Sequence, residues 1–341
     1  MSEEKKGKNR IFYTILGFLV IFLLVVSLLG NVILGTLLAL VSFEQIETKI
    51  EKSLFEKKYL EKKGKAEILL IDFKGVISDS GNLTGEAILS KVIKQKLLQA
   101  QKDDKVKGVI FKVNSPGGAV TATDKMYKYI LDFRRKTNKP VVAYFDSVAA
   151  SGGYYIATAA DVIISHETCL TGSIGVIMSF FQLHELFENK LGIKRVVIKS
   201  GKHKDMGSFG RKMTDEEKKI FQSVIDEIYS KFVSVVKVGR GKSKKFDPKK
   251  LDELADGRIF TGKQAYKNGL VDEVGYFSTA IEKTCKLANI KSKKYSLVQY
   301  KKRLSYFEQV FINNPLNETK VVKKLYNEYM TPHLYYMWYA K

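Results

Sequence analysis

Hydrophobic positions along the chain change their spacing three times. From Ile11 to Val41 they run on with no charged residue between them, longer than the roughly 20 residues a helix needs to cross a bilayer. Residues 44–64 then mix charges with apolar residues at helical spacing and predict a juxtamembrane helix or stalk. Beyond them come short runs rich in Val and Ile: 67–77 (EILLIDFKGVI), 106–114 (VKGVIFKVN) and 140–146 (PVVAYFD). These read as strands buried on both faces. The segments between them, 87–103 and 119–138, carry apolar residues at helical spacing, and the alternation predicts α/β units. A further long helix is expected from Thr214, where Thr214 and Glu217 form a capping-box pair, with Gly239 and Gly241 as stop signals.

Charge fixes the direction of the first segment. Lys5, Lys6, Lys8 and Arg10 precede the apolar run, so the positive-inside rule places residues 1–10 in the cytoplasm and the chain after Phe43 outside it. The run is too long for a cleaved signal peptide and lacks an Ala-x-Ala site, so an uncleaved anchor over 11–43 is the expectation. The 341-residue chain has a formal net charge of +22, but its lysines are scattered and no nucleic-acid motif accompanies them. Nucleic acid is therefore not an expected partner. Cys169 and Cys285 have no metal-site spacing, and neither a metal nor a cofactor is expected. Past residue 290 the chain turns basic and aromatic, and 291–341 is read as an extension suited to an interface or the lipid headgroup region.

Two glycine turns could carry chemistry. In VNSPGGAV (113–120) a strand ends before a helix in residues that let backbone N–H groups face an anion. In SVAASGGYYI (147–156) a strand meets a helix at Ser151-Gly152-Gly153, which can leave a serine hydroxyl bare. On neighbouring parallel strands the two turns meet at one sheet edge, where open α/β sheets bind ligands. A serine nucleophile needs a base. The Gly-x-Ser-x-Gly elbow is broken by Ala149, and none of the four histidines stands in a motif, so a Ser-His-Asp triad has no support. A Ser-x-x-Lys match at Ser234–Lys237 falls inside the long helix and is read as coincidence. A lysine base must be held neutral, which from an ordinary pKa costs about 4.6 kcal/mol at pH 7 and demands desolvation or nearby positive charge. Composition does not say which lysine meets that demand.

VNSPGG, ASGGYYIATAAD, LTGSIGVI, SGKHKD and DGRIFTGKQAYKNGLVDEVG follow one another over residues 65–290. In that order and spacing they resemble the signal peptide peptidase A family of membrane-anchored serine proteases, in its short single-copy form. The resemblance implies a ClpP/crotonase-like fold of repeated β-β-α units after one N-terminal transmembrane helix, with 65–290 as a Ser-Lys protease domain. It implies Ser151 as nucleophile, Lys204 as general base and Ser173 as the residue orienting the lysine amine. The backbone N–H groups of Gly118 and Gly152 are implied as the oxyanion hole. The family pattern has tyrosine where His203 stands, which leaves Lys202 as an alternative to Lys204. Implied substrates are remnant signal peptides and other hydrophobic peptides, cleaved beside the lipid bilayer by a ring-like homo-oligomer of the bacterial inner membrane with its catalytic domain extracytoplasmic. The competing readings are an inactive crotonase-fold membrane scaffold and an acyl-CoA hydratase or isomerase.

Overall fold

A computed structural model describes residues 19, 22–35, 55–79, 89–291, 294–302 and 334–337. The chain divides into two units, Met1–Glu56 and Lys57–Lys341. In the first, residues 22–35 are helical with exposed side chains. Among the described residues no helix is long and apolar enough to cross a membrane, and most of the rest of the anchor expected over 11–43 lies outside them.

The second unit is built on a nine-stranded sheet of order β1-β11-β2-β3-β5-β6-β10, with β7 branching from β5 and β9 pairing β7. Its strands are β1 (Phe55–Lys62), β2 (Ala66–Lys74), β3 (Val106–Ser115), β5 (Val141–Ala150), β6 (Val162–Ser165), β7 (Leu170–Gly172), β9 (Ile259–Thr261), β10 (Glu273–Val274) and β11 (Tyr295–Lys302). The centre is parallel: β11 with β2, β2 with β3, β3 with β5, and β5 with both β6 and β7. A second sheet of three strands, β4 (Gly117–Ala119), β12 (Leu334–Met337) and β8 (Ile177–Met178), has β12 in the middle.

Helices α1 (Ser90–Lys102), α2 (Val120–Thr137), α3 (Gly152–Ala157), α4 (Asp215–Arg240) and α5 (Phe277–Leu287) complete the framework. Alternate residues of the central strands face opposite sides. Ile68, Leu70, Ile110, Val142, Tyr144, Ile164 and Leu297 form one core cluster with Ala280 and Cys285 of α5. Their neighbours Leu69, Ile71, Val109, Phe111, Ala143 and Phe145 are buried as well, so the sheet is covered on both faces as its continuous apolar runs predict. Thr214 caps α4 through the expected box with Glu217, and α4 passes Gly239 to stop at Gly241.

Two segments depart from expectation. Phe55–Lys62 is a strand rather than part of a juxtamembrane helix; residues 44–54 lie outside the description. Phe55 is buried, Lys57 pairs with Glu67 (2.5 Å) and Asp103 (2.7 Å), and the Tyr59 hydroxyl donates to Glu67 (2.8 Å). That spacing of two is a strand's. The sheet also claims part of the C-terminal extension, since Tyr295–Lys302 forms β11 and buries Tyr300, whose hydroxyl donates to Asp103 at 2.9 Å. The sheet therefore reaches past both ends of 65–290.

Candidate active site

Both glycine turns lie at the same edge of the sheet, as parallel neighbours require. Ser115 of β3 stands opposite Ala149 of β5. After Ser115 the chain turns through Pro116 and Gly117, whose φ of 105° is open to glycine. The Ser115 hydroxyl accepts the Gly117 N–H at 3.1 Å and fixes that turn. Gly118 is then laid against Ile77 in a parallel bridge. A Cβ on Gly118 would run into the Ile77 carbonyl oxygen, so close backbone approach is what the glycine supplies here.

Ser151 closes β5 and opens α3 with φ 50° and ψ −115°. Four non-glycine residues among those described have positive φ: Asn138, Asn289, Ser151 and Ser173. Asparagine visits that region readily, whereas a serine held there is strained by the surrounding structure. The strain is held by bonds on both sides of the residue. Ser151 N–H donates to the Gly172 carbonyl at 2.8 Å, and the Ser151 carbonyl accepts the Tyr155 N–H at 2.8 Å.

The two tyrosines after Gly153 anchor α3. Tyr154 and Tyr155 are fully buried; the Tyr154 hydroxyl donates to the Leu270 carbonyl at 2.8 Å and that of Tyr155 to Asp124 at 2.6 Å. Gly153 leaves room for the neighbouring turn, since a Cβ there would lie 2.9 Å from the Ser115 carbonyl oxygen. Ser151 is 1% exposed, and its Oγ has no hydrogen-bond partner among the described residues. Such a buried, unpaired hydroxyl costs about 1–3 kcal/mol and calls for a reason. Ser173 sits beside it: Ala150 and Gly172 are register partners, and Ser173 follows with φ 48°, 8% exposure and its N–H on the Arg258 carbonyl at 2.8 Å.

Lys204 is exposed and, among the described residues, makes no ion pair and no hydrogen bond to Ser151, whose Oγ has no partner there. It lines a cavity of about 590 Å³ together with Phe180, Phe181, Val197 and Ile198. The adjacent Asp205 is engaged with other groups: Arg211 binds it through Nε and Nη2, both at 2.9 Å, and Lys199 binds it at 2.6 Å. The Arg211 guanidinium and Lys199 hold its carboxyl well below the usual range. Lys202 is tied to Glu216, and His203 also reaches Glu216 at 3.4 Å. Lys202 is thus committed to a carboxylate, whereas Lys204 has no ion-pair partner among the described residues.

The sequence model of peptidase family S49 matches residues 133–291, a span that holds Ser151, Ser173 and Lys204. A putative signal peptide peptidase SppA of Enterococcus faecium is 36% identical over 259 residues, covering 75% of this chain and 73% of the relative. The chain belongs to peptidase family S49. This S49 chain is also 44% identical over 190 residues to a putative protease of Methanocaldococcus jannaschii, covering 56% of the chain and 59% of that relative. It is 37% identical over 241 residues to the chloroplastic serine protease SPPA of Arabidopsis thaliana, 35% of whose length it spans. The N-terminal domain of NfeD1b matches residues 82–180, the part of the S49 chain that carries both glycine turns. The mixed α/β architecture around a mainly parallel sheet is that of an S49 serine-type peptidase.

Sequence reasoning missed one part of the site. Gly118 is flanked by Ile77 on one side and by the C-terminal strand β12 on the other, and neither neighbour has a local sequence signal.

Proposed function

We propose that the chain is a membrane-anchored serine endopeptidase that degrades remnant signal peptides and other hydrophobic peptides through Ser151 and Lys204. The observation that carries this reading is Ser151 itself: a strained, buried serine with an unpaired hydroxyl, at the start of a helix and beside a glycine strand. In the proposed reaction neutral Lys204 takes the Ser151 proton, Oγ attacks a peptide carbonyl, and the lysine ammonium protonates the leaving amine. Water then hydrolyses the acyl-enzyme. The N–H groups of Gly118 and Gly152 receive the oxyanion, and Ser173 orients the amine.

Among the described residues Lys204 is not hydrogen-bonded to Ser151, so the proposed dyad closes through a second copy or a movement of the segment bearing Lys204. A ring-like homo-oligomer supplies the first. Its support is the exposed apolar side chains on the Lys204 segment, among them Val196 at 85% and Ile198 at 97% exposure. The uncharged run 11–41 after a basic start supports an inner-membrane anchor with the catalytic domain extracytoplasmic.

The deciding experiment is hydrolysis of a fluorogenic hydrophobic peptide by the detergent-solubilised protein, wild type against Ser151→Ala and Lys204→Ala. Loss in both variants at unchanged fold supports the dyad. An active Ser151→Ala variant overturns it and brings the scaffold reading forward.

A further inference from the structure

Two side chains outside the glycine turns join them. Gly118 and Ala119 lead straight into α2, and Asp124 lies on the second turn of that helix. Ser151 opens α3, and Tyr155 lies one turn on, with its N–H on the Ser151 carbonyl at 2.8 Å. The Tyr155 hydroxyl donates to Asp124 Oδ1 at 2.6 Å. That bond runs from the helix after Gly118 to the helix after Ser151.

The sheet by itself does not fix the spacing of the two turns. β3 and β5 keep register up to Val113 opposite Phe145, but the next pair is Ser115 opposite Ala149, so β5 gains residues on β3 just before both strands end. Such an irregularity re-aims the chain and interrupts the ladder. Beyond it the Gly118 peptide belongs to the three-stranded sheet and that of Gly152 to α3. Their separation then depends on how α2 and α3 are held against each other.

Packing locks the Tyr155 ring in place. It is fully buried and meets Tyr127 of α2 edge-on, with ring centroids 5.3 Å apart, and Phe232 of α4 at 5.0 Å. Asp124 is half-buried, and its neighbour Lys125 binds Asp79 at 3.0 Å, close in sequence to the Ile77 that borders Gly118. A ring that cannot turn and a carboxylate on a helix also tied to the Ile77 segment, joined by a short bond, make a strut between the turns.

We propose that Asp124 and Tyr155 are positioning residues that set the separation of the Gly118 and Gly152 N–H groups for the oxyanion. They act through the backbone of the two turns. This rests on the reading of those groups as oxyanion donors. Donors held at a fixed separation favour the tetrahedral oxyanion over the planar carbonyl, so a slackened strut is felt in the transition state more than in substrate binding.

The test compares three variants of the full-length protein on a fluorogenic hydrophobic peptide. Tyr155→Phe keeps the buried ring and removes the donor, Asp124→Ala removes the acceptor, and Asp124→Asn keeps an oxygen that accepts the hydroxyl. The first two are expected to lower kcat about 10–100-fold with KM within about twofold, and Asp124→Asn to recover most of the loss. Asp124→Ala, at a half-buried position, carries the test if Tyr155→Phe misfolds. A peptide boronic acid gives the second readout. It binds as a tetrahedral boronate on Ser151 Oγ, the serine proton passing to the base, and its affinity is expected to fall by the same factor as kcat/KM. Loss of folding alone leaves the boronate affinity at the wild-type value, and that result overturns the proposal. So does a kcat within about twofold of wild type in folded Tyr155→Phe and Asp124→Ala, or a loss that Asp124→Asn fails to recover. Failure of the protease reading looks different: wild type itself then neither cleaves the peptide nor binds the boronic acid, and the strut has no oxyanion to serve.

Discussion

The backbone N–H of Ser151 donates to the carbonyl of Gly172 at 2.8 Å, and that bond ties the ends of β5 and β7 together one residue before Ser173. Two serines with positive φ are thereby set side by side at one sheet edge. Each is held by a backbone bond to a distant segment, Ser151 to Gly172 and Ser173 to Arg258. The strain is met by the sheet, which leaves the side chains free for chemistry.

Removing the Ser151 hydroxyl separates activity from stability. Ser151→Ala is expected to lower kcat by at least about 10³-fold, as loss of a nucleophile does. Because the buried Oγ has no partner among the described residues, the same change is expected to leave stability unchanged or to raise it by about 1 kcal/mol. Peptide hydrolysis and a urea melt on the same preparation check both; a large destabilisation would mean the hydroxyl is bonded after all.

Gly118 has a packing role beside its proposed role as an oxyanion donor. Gly118→Val is expected to cost about 1–3 kcal/mol, because Ile77 must move, together with a 10²–10³-fold fall in kcat. Thermal unfolding read beside peptide hydrolysis tests this. A fully active variant of unchanged stability would remove Gly118 from the site.

The lysines are distinguished by their partners. Lys202→Ala is expected to keep activity within about twofold, since it breaks an exposed pair with Glu216 of little energetic worth. Lys204→Ala is expected to abolish activity. Mixing inactive Lys204→Ala protein with inactive Ser151→Ala protein tests where the base comes from. Recovered activity places it on a neighbouring copy, and none after subunit exchange places it on the same chain.

Arg211 clamps the loop of Lys204 to the start of α4 by binding both Asp205 and Glu217. The guanidinium, with the Thr214 N–H, holds the Glu217 carboxyl at about 2, below its ordinary 4.5. A depressed carboxylate contributes stability above its unfolded pKa and loses it as pH falls through the folded one. The clamp is thus expected at full strength above pH 4.5 and to fade towards pH 2. Arg211→Met is expected to lower stability at pH 7 and flatten the acid limb between those values. Urea melts at a series of pH values test this, and an unchanged acid limb would show that the clamp does not form.

How far the sequence reached can be judged from particular elements. Thr214 with Glu217 announced α4 because a capping box is made by neighbours within one turn. Buried strands β2, β3 and β5 were legible from their continuous apolar runs, and the two glycine turns from residues whose backbone demands are local. Phe55–Lys62 was misread because charged residues at the edge of a sheet follow their partners on β2 and β11, not a strong propensity of their own.

Chain-local physics therefore determined the α/β alternation, the turn at Ser151 and the serine that fills it. Tertiary structure alone decided that Ser173 lies beside Ser151, that Asp205 is engaged by Arg211, that the Ser151 Oγ finds no partner among the described residues, and that Tyr336 pairs with Gly118. Those outcomes depend on which distant backbone edges and charges meet once the sheet has closed. Loop-closure entropy grows only slowly with separation, so near and distant partners compete on almost equal terms and local pattern cannot choose between them.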